Sequence, residues 1–215
     1  MTLDRMLLVL ALSSITACGS TSEAPPPPST PIPPAPTSAA PPPPPPIPAA
    51  RVPFQSLLTA LPSATALRVT EGWMGLTPIG PTAHHYELTS TDAGFVAHVV
   101  CHAGAHELVE PDQTIPRGLV APILGRLTAT EVTAGTYAPR IEHTDDYPNL
   151  SIEIDSPLGT LALTSQSQGE NAEPWQIAAG SDTAIVASPM PGEALHALGA
   201  LVGIQRCRDW VTTLH

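Results

Sequence analysis

A run of prolines near the N-terminus limits what this chain can fold into. Residues 23–50 contain 15 of the 28 prolines in the 215-residue sequence. Proline lacks a backbone N–H and has a fixed φ, so the tract should be extended polyproline II, roughly 70 Å long from Pro25 to Pro48. A hydrophobic core must therefore come from residues 51–215, which are numerous enough for one ordinary domain.

The charged residues exclude several kinds of chemistry and partner. The formal net charge is −11, from 19 acidic and 8 basic residues, and every basic residue is an arginine. Without lysine the chain has no Schiff-base, Ser–Lys or P-loop lysine chemistry. Because it also lacks a basic patch for phosphates, we expect no nucleic-acid partner and no electrostatic adhesion to anionic lipid.

Residues 1–17 are typical of a secretory signal peptide. The apolar stretch MLLVLAL at 6–12 follows Arg5 and gives way to small residues. It is much shorter than the about 20 apolar residues that span a bilayer as a helix. We therefore predict that this segment directs export and is not itself a permanent membrane span.

The end of that segment carries a more specific pattern. Ile15, Thr16, Ala17 and Cys18 resemble the lipobox of bacterial lipoprotein signals, a resemblance that covers only the first twenty residues. It implies cleavage before Cys18, acylation of Cys18 by fatty acids such as palmitate and, with Gly19 following, export to the outer membrane. The alternatives are an ordinary signal peptide, or a hydrophobic start with an incidental cysteine.

Residues 18–50 then form a lipidated cysteine followed by a proline-rich stalk. Its composition also suits a ligand of SH3 or WW domains, but those readers are not expected outside a bacterial cell. We interpret the stalk as a spacer between an acyl anchor in the bilayer and a domain at 51–215. Which face of the membrane that domain occupies stays open.

The pattern of residues 51–215 predicts an α+β fold, an antiparallel sheet with two or more helices packed on one face. Apolar–polar alternation and β-branched residues indicate strands, whereas helical spacing of leucines and alanines indicates helices. The two halves share a strands-then-helix layout. The predicted strands are 66–73, 84–90, 94–102, 150–155, 159–167, 175–180 and 183–188, and the predicted helices are 116–131 and 192–204.

Two cysteines remain if Cys18 is lipidated. An even pair in an oxidising compartment favours a disulfide between Cys101 and Cys207. On the predicted strand Cys101 shares a face with Phe95 and Val99, which directs it toward the core. Two buried free thiols are the alternative, and either arrangement is structural.

Histidines are concentrated between residues 84 and 106, with Glu107 and Glu110 close by. One hypothesis is a Zn²⁺ or Cu²⁺ site at His84, His85, His98 and His102. Residues four apart lie about 6 Å from each other on a helix but roughly 13 Å apart on a strand, so one strand alone cannot chelate an ion. A cross-strand pair depends on the hairpin register, and solvated or core histidines are the alternative.

Two further stretches of polar residues can each be interpreted in two ways. Asp145 and Asp146 can hold Ca²⁺ or act as acid and base, or can simply form a turn before Pro148. The segments SQSQG (165–169) and EPW (173–175) can form a polar binding edge around Trp175 or an ordinary loop. The three tryptophans are more typical of a core than of ligand platforms.

The sequence contains no G-x-S-x-G elbow, glycine-rich phosphate loop or dinucleotide fingerprint. We therefore expect a membrane-anchored envelope lipoprotein whose acidic domain has a non-catalytic binding or structural role, with an envelope protein or a glycan as the candidate partner classes. The alternative is a metal-binding protein or metal-dependent enzyme that uses the region His84–His106. A pure spacer that binds nothing is a third hypothesis.

Overall fold

One antiparallel sheet organises the part of the chain that the structure describes. The structure is a computed structural model that describes residues 53–75, 78–142, 146–169 and 172–214. Backbone contacts divide the chain into Met1–Ile47 and Pro48–His215, and every described residue belongs to the second unit. The predicted signal peptide, Cys18 and the proline stalk lie outside the described residues.

The sheet has eight strands in the order β4-β3-β2-β1-β5-β6-β7-β8, with every neighbouring pair antiparallel. This confirms the predicted α+β class. The strands are β1 Ala66–Trp73, β2 Thr82–Thr91, β3 Gly94–Ala103, β4 His106–Ile115, β5 Pro148–Ser156, β6 Gly159–Ser165, β7 Trp175–Ala179 and β8 Asp182–Val186.

Four α-helices accompany the sheet. They are α1 Phe54–Ala60, which continues into a short 3-10 turn at Leu61–Ser63, α2 Arg117–Leu127, α3 Met190–Val202 and α4 Gln205–Thr212. Pro116 precedes α2, and Pro122 lies within that helix. The sequence patterns did not predict α1, α4 or strand β4.

The layout of strands followed by a helix occurs twice along the chain. The first half runs from β1 to β4 and then α2, and the second from β5 to β8 and then α3. In the sheet the halves are arranged outward from β1 and β5, which pair with each other at the centre. The full length of β1 is used in this pairing, from Ala66 opposite Asp155 to Trp73 opposite Pro148.

Alternation along each strand places the core on one face of the sheet. On β1, Leu67 and Val69 are buried, whereas Arg68 points to the opposite face. There Arg68 lies 2.6 Å from Glu153 and 3.0 Å from Asp155, both on β5. These ion pairs are exposed and contribute little stability, so burial of the apolar face provides most of the stabilisation.

A disulfide joins the sheet to the last helix. Cys101 on β3 and Cys207 on α4 are both fully buried, with Cα atoms 5.6 Å apart and a sequence separation of 106 residues. Cys101 shares the core face with Phe95, Ala97 and Val99, as the alternation predicts. In the chain-entropy account, closing a loop of this length stabilises the fold by about 4–5 kcal/mol.

None of the helices in the described ranges is long and apolar enough to cross a membrane.

Candidate functional site

The four histidines predicted as metal ligands are divided between the two faces of the sheet. His84 lies on the core face and is 9% exposed, whereas His85, His98 and His102 lie on the open face. Consecutive residues of a strand point to opposite faces, so His84 and His85 cannot serve one ion. His84 therefore cannot belong to a metal site that contains the other three histidines.

On the open face, the β2–β3 register brings His85 and His102 together. Their ring centroids are 5.4 Å apart in an edge-to-face arrangement. Nδ1 of His85 is 3.0 Å from the Thr70 hydroxyl, and Nδ1 of His102 is 3.5 Å from a Glu107 oxygen. His98 instead pairs with Asp112 at 2.8 Å. Within the described ranges no three His, Cys, Asp or Glu side chains gather as a metal centre.

A cavity of about 510 Å³ lies on the core side, at the end of the sheet where β1 finishes and β5 begins. The two central strands, the first turns of α3 and the loops on either side of β5 and β6 line it. The lining residues are Glu71, Trp73, Glu142, Asp146, Pro148, Leu150, Ser167, Gln168, Gly169, Ala172, Gly192, Leu195 and His196. Its volume falls in the range of small-molecule sites.

Glu71 forms one wall of this cavity and is held by two helices and a neighbouring strand. Nη2 of Arg208, on α4, donates to Oε2 of Glu71 at 2.9 Å. A Cβ at Gly199 of α3 would lie 2.9 Å from Oε1, so glycine leaves room for the carboxylate. The Tyr86 hydroxyl lies 3.4 Å from Oε1 and 3.2 Å from the Leu195 carbonyl oxygen. Burial, reinforced by Glu71, raises the pKa of Tyr86 well above its usual value, so the phenol stays protonated.

Asp146 contributes a second carboxylate, and one of its oxygens lacks a partner. Oδ1 is buried and has no hydrogen-bond partner in the part of the chain that the structure describes. It packs against Gly75, where a Cβ would overlap it. A buried acceptor left unpaired costs about 1–3 kcal/mol, and more when it is charged. This oxygen is enclosed beside Gly75 and is not exposed to a ligand in the cavity.

The loop after β6 forms the opposite wall and is fixed by buried serines. The hydroxyl oxygen of Ser165 lies 2.5 Å from the Ala172 carbonyl oxygen and 2.9 Å from that of Pro174, so its one proton is donated to either, and it accepts from the Ser167 backbone N–H at 3.0 Å. The Ser167 hydroxyl accepts from the Arg140 N–H at 3.0 Å. These contacts hold Ser167 and the neighbouring cavity residues in place.

The sequence-based hypotheses found parts of this cavity but not the whole. Asp146 and the segment SQSQG both line it, although Asp145 lies outside the described residues. The proposed edge around Trp175 is wrong, because Trp175 is fully buried in the core. Trp73, expected in the core, instead lies half-buried against the cavity.

Glu71 was missed although the sequence carries a signal for it. It occupies an inward position of β1, in phase with Leu67 and Val69. A carboxylate at an inward position of a strand is rarely accommodated without a partner. Its partner Arg208 is 137 residues away in the sequence, so local patterns cannot identify the pair.

His84 is near enough to Arg208 for the charge of that guanidinium to act on it. Burial lowers the pKa of His84 to about 4, and the charge of Arg208 and the neighbouring His85 and His102 act in the same direction. Its Nε2 has no hydrogen-bond partner among the described residues. The imidazole is therefore neutral in the folded protein at pH 7.

Comparison with known proteins adds no relative: the sequence matches no protein-family model and no curated protein.

We expect His84 to make the free energy of unfolding depend on pH. The folded-state pKa is about 4 and the ordinary value is 6.5, so the unfolded chain binds an extra proton between these pH values. The free energy of unfolding should therefore fall as pH drops from about 6.5 toward 4, by about 3 kcal/mol at most. Urea unfolding at a series of pH values measures this slope, and His84→Gln should remove that part of it.

His98→Gln is the matched control, because His98 is an exposed histidine on the opposite face. It should retain the wild-type slope. An unchanged slope in His84→Gln would show that His84 is not buried in its neutral form.

Proposed function

We propose that this chain is a lipid-anchored protein of the bacterial cell envelope, in the outer membrane, that presents an acidic ligand-binding domain on a proline-rich tether. Its role is binding rather than catalysis. The observation that carries the binding role is the cavity at the end of β1 and β5, which combines carboxylates, an indole and apolar side chains. Such a mixture is typical of sites that hold small molecules.

The sequence supports the anchor. Ile15, Thr16 and Ala17 precede Cys18, and Gly19 and the proline tract follow it. A segment rich in proline is stiff and extended, so it separates a domain from the point at which the chain is anchored.

Helix α1 lies at the end of the sheet opposite the cavity. Leu57 of α1 packs near Gly159, which is paired with Ser156 at the end of the sheet where β1 begins. The cavity is at the end where β1 finishes, beside Trp73. Helix α1 and the cavity therefore lie at opposite ends of β1.

Replacing the acylated residue tests the anchor. In a bacterial host, the wild-type protein should fractionate with membranes and require detergent for extraction. Cys18→Ser has no thiol to acylate, so it should lose this association and appear in the fraction released without detergent. Immunoblotting of the fractions measures the distribution.

Ser20→Ala is the control, because it changes a neighbouring residue and leaves Cys18 in place. It should remain with the membranes. Retention of Cys18→Ser in the detergent-extracted membrane fraction would contradict the proposed anchor.

A second candidate function is binding of Zn²⁺ or Cu²⁺ on the open face. The observation that favours it is the approach of His85 to His102, with ring centroids 5.4 Å apart. Imidazole nitrogens are common ligands of both ions, and this pair offers two of them. The hypothesis of four histidine ligands is thereby reduced to His85 and His102, since His98 is paired with Asp112.

Elemental analysis of protein purified without chelator tests this candidate. Metal binding predicts close to one equivalent of Zn or Cu, lost in His85→Gln/His102→Gln and kept in His98→Gln. Absence of stoichiometric metal from the wild-type protein, or its retention in the double variant, would eliminate this second function.

A further inference from the structure

We propose that a depression on the open face of the sheet, where β6 ends beside β7, binds one neutral sugar ring of a glycan. The depression shares no lining residue with the cavity on the core side. The inference therefore goes beyond the binding role proposed for that cavity.

Uncharged polar side chains from three neighbouring strands come together at this depression. Thr164 of β6 lies opposite Ser151 of β5 and Gln176 of β7. Their neighbours Leu163 and Ile177 are buried, so alternation turns these polar residues to the open face. The depression has a volume of about 210 Å³ and is lined by Tyr137, Asn149, Thr164, Ser165, Gln166 and Gln176.

The charge around the depression favours a neutral ligand. None of the described residues that line it is an aspartate, glutamate, arginine or histidine, although the sequence contains 19 acidic and 8 basic residues. Farther along the open face of β5, Glu153 and Asp155 are both paired with Arg68. An ion in the depression would lose water without gaining a charged partner, whereas a neutral polar ligand avoids that cost.

The polar groups of the lining match the hydroxyls of a sugar. Asn149, Gln166 and Gln176 each carry a carboxamide, which both donates and accepts hydrogen bonds, and Thr164 adds a hydroxyl. A sugar hydroxyl also donates and accepts, so two adjacent hydroxyls of one ring can pair with both ends of one amide. Asn149 and Thr164 are exposed and the two glutamines are half-buried, so these groups are within reach of a ligand.

Tyr137 adds an aromatic surface whose position is fixed by the protein. Its hydroxyl accepts from the backbone N–H of Gln166 at 2.7 Å and lies 3.4 Å from the hydroxyl of Ser165, which is buried. An aromatic ring held in this way can pack against the C–H face of a sugar with little further loss of side-chain entropy.

The size of the depression indicates how much of a glycan it takes. Its volume of about 210 Å³ is below the about 300–1,000 Å³ of sites for drug-sized ligands. It therefore suits one ring, with the adjoining rings over the open face of the sheet.

Titration with neutral tetrasaccharides tests this inference. Cellotetraose, maltotetraose and N-acetylated chitotetraose are added separately to the full-length Cys18→Ser chain, and binding is followed by NMR of the backbone amides. We expect at least one of them to bind, with the largest shift changes at Thr164, Gln166 and Gln176. Gln176→Ala should weaken that binding about fivefold, the ratio that one neutral hydrogen bond gives.

Gln55→Ala is the matched control, since it removes the same side chain from an exposed position of α1. It should bind the tetrasaccharide as the parent chain does. Absence of binding by all three tetrasaccharides overturns the inference without requiring any variant to fold, and an unaffected Gln176→Ala also overturns it. Shift changes centred on Trp73 and Leu195 would overturn it as well, because they would place the sugar in the core-side cavity and so support the binding role proposed there.

Discussion

The pairing of β1 with β5 is the interaction on which the rest of this structure depends. It connects two four-stranded halves into one sheet and gives them a common core face. It also builds the cavity, because Glu71 lies opposite Leu150 and Trp73 opposite Pro148 in that register. A slip of one residue would turn these side chains to the other face, so the same register specifies both the core and the site.

The ion pair between Glu71 and Arg208 at the cavity depends on α4 as well as on the sheet. The disulfide fixes α4 to β3 at Cys207, and the next residue, Arg208, reaches Glu71. This ion pair allows a carboxylate to occupy an inward position of β1, since a charge removed from water requires a partner. The same guanidinium contributes to the low pKa of His84. The disulfide, the ion pair between Glu71 and Arg208 and the burial of His84 therefore all act beside the cavity.

Local patterns were sufficient for most of the sheet, including the edge strand β8, but not for the other edge strand, β4, or for the cavity. The alternation in LSIEID and in FVAHVVC predicted β5 and β3 and the inward side chain of Cys101. Strand β4 was missed because it is an edge strand, exposed along most of its length, with Pro111 at an irregularity opposite His98; edge strands tolerate both features. The cavity escaped prediction because strand register and loop contacts bring its residues together from distant segments.

Hydrogen exchange of the full-length protein, followed across a urea series, tests the central role of the β1–β5 ladder most directly. If that ladder unites the halves, amides near Val69 and Ile152 should exchange only through global unfolding, and both halves should lose protection at the same urea concentration. Loss of protection in β5–β8 at lower urea, while β1–β4 stay protected, would contradict the account, as would rapid exchange along β1 in the native protein.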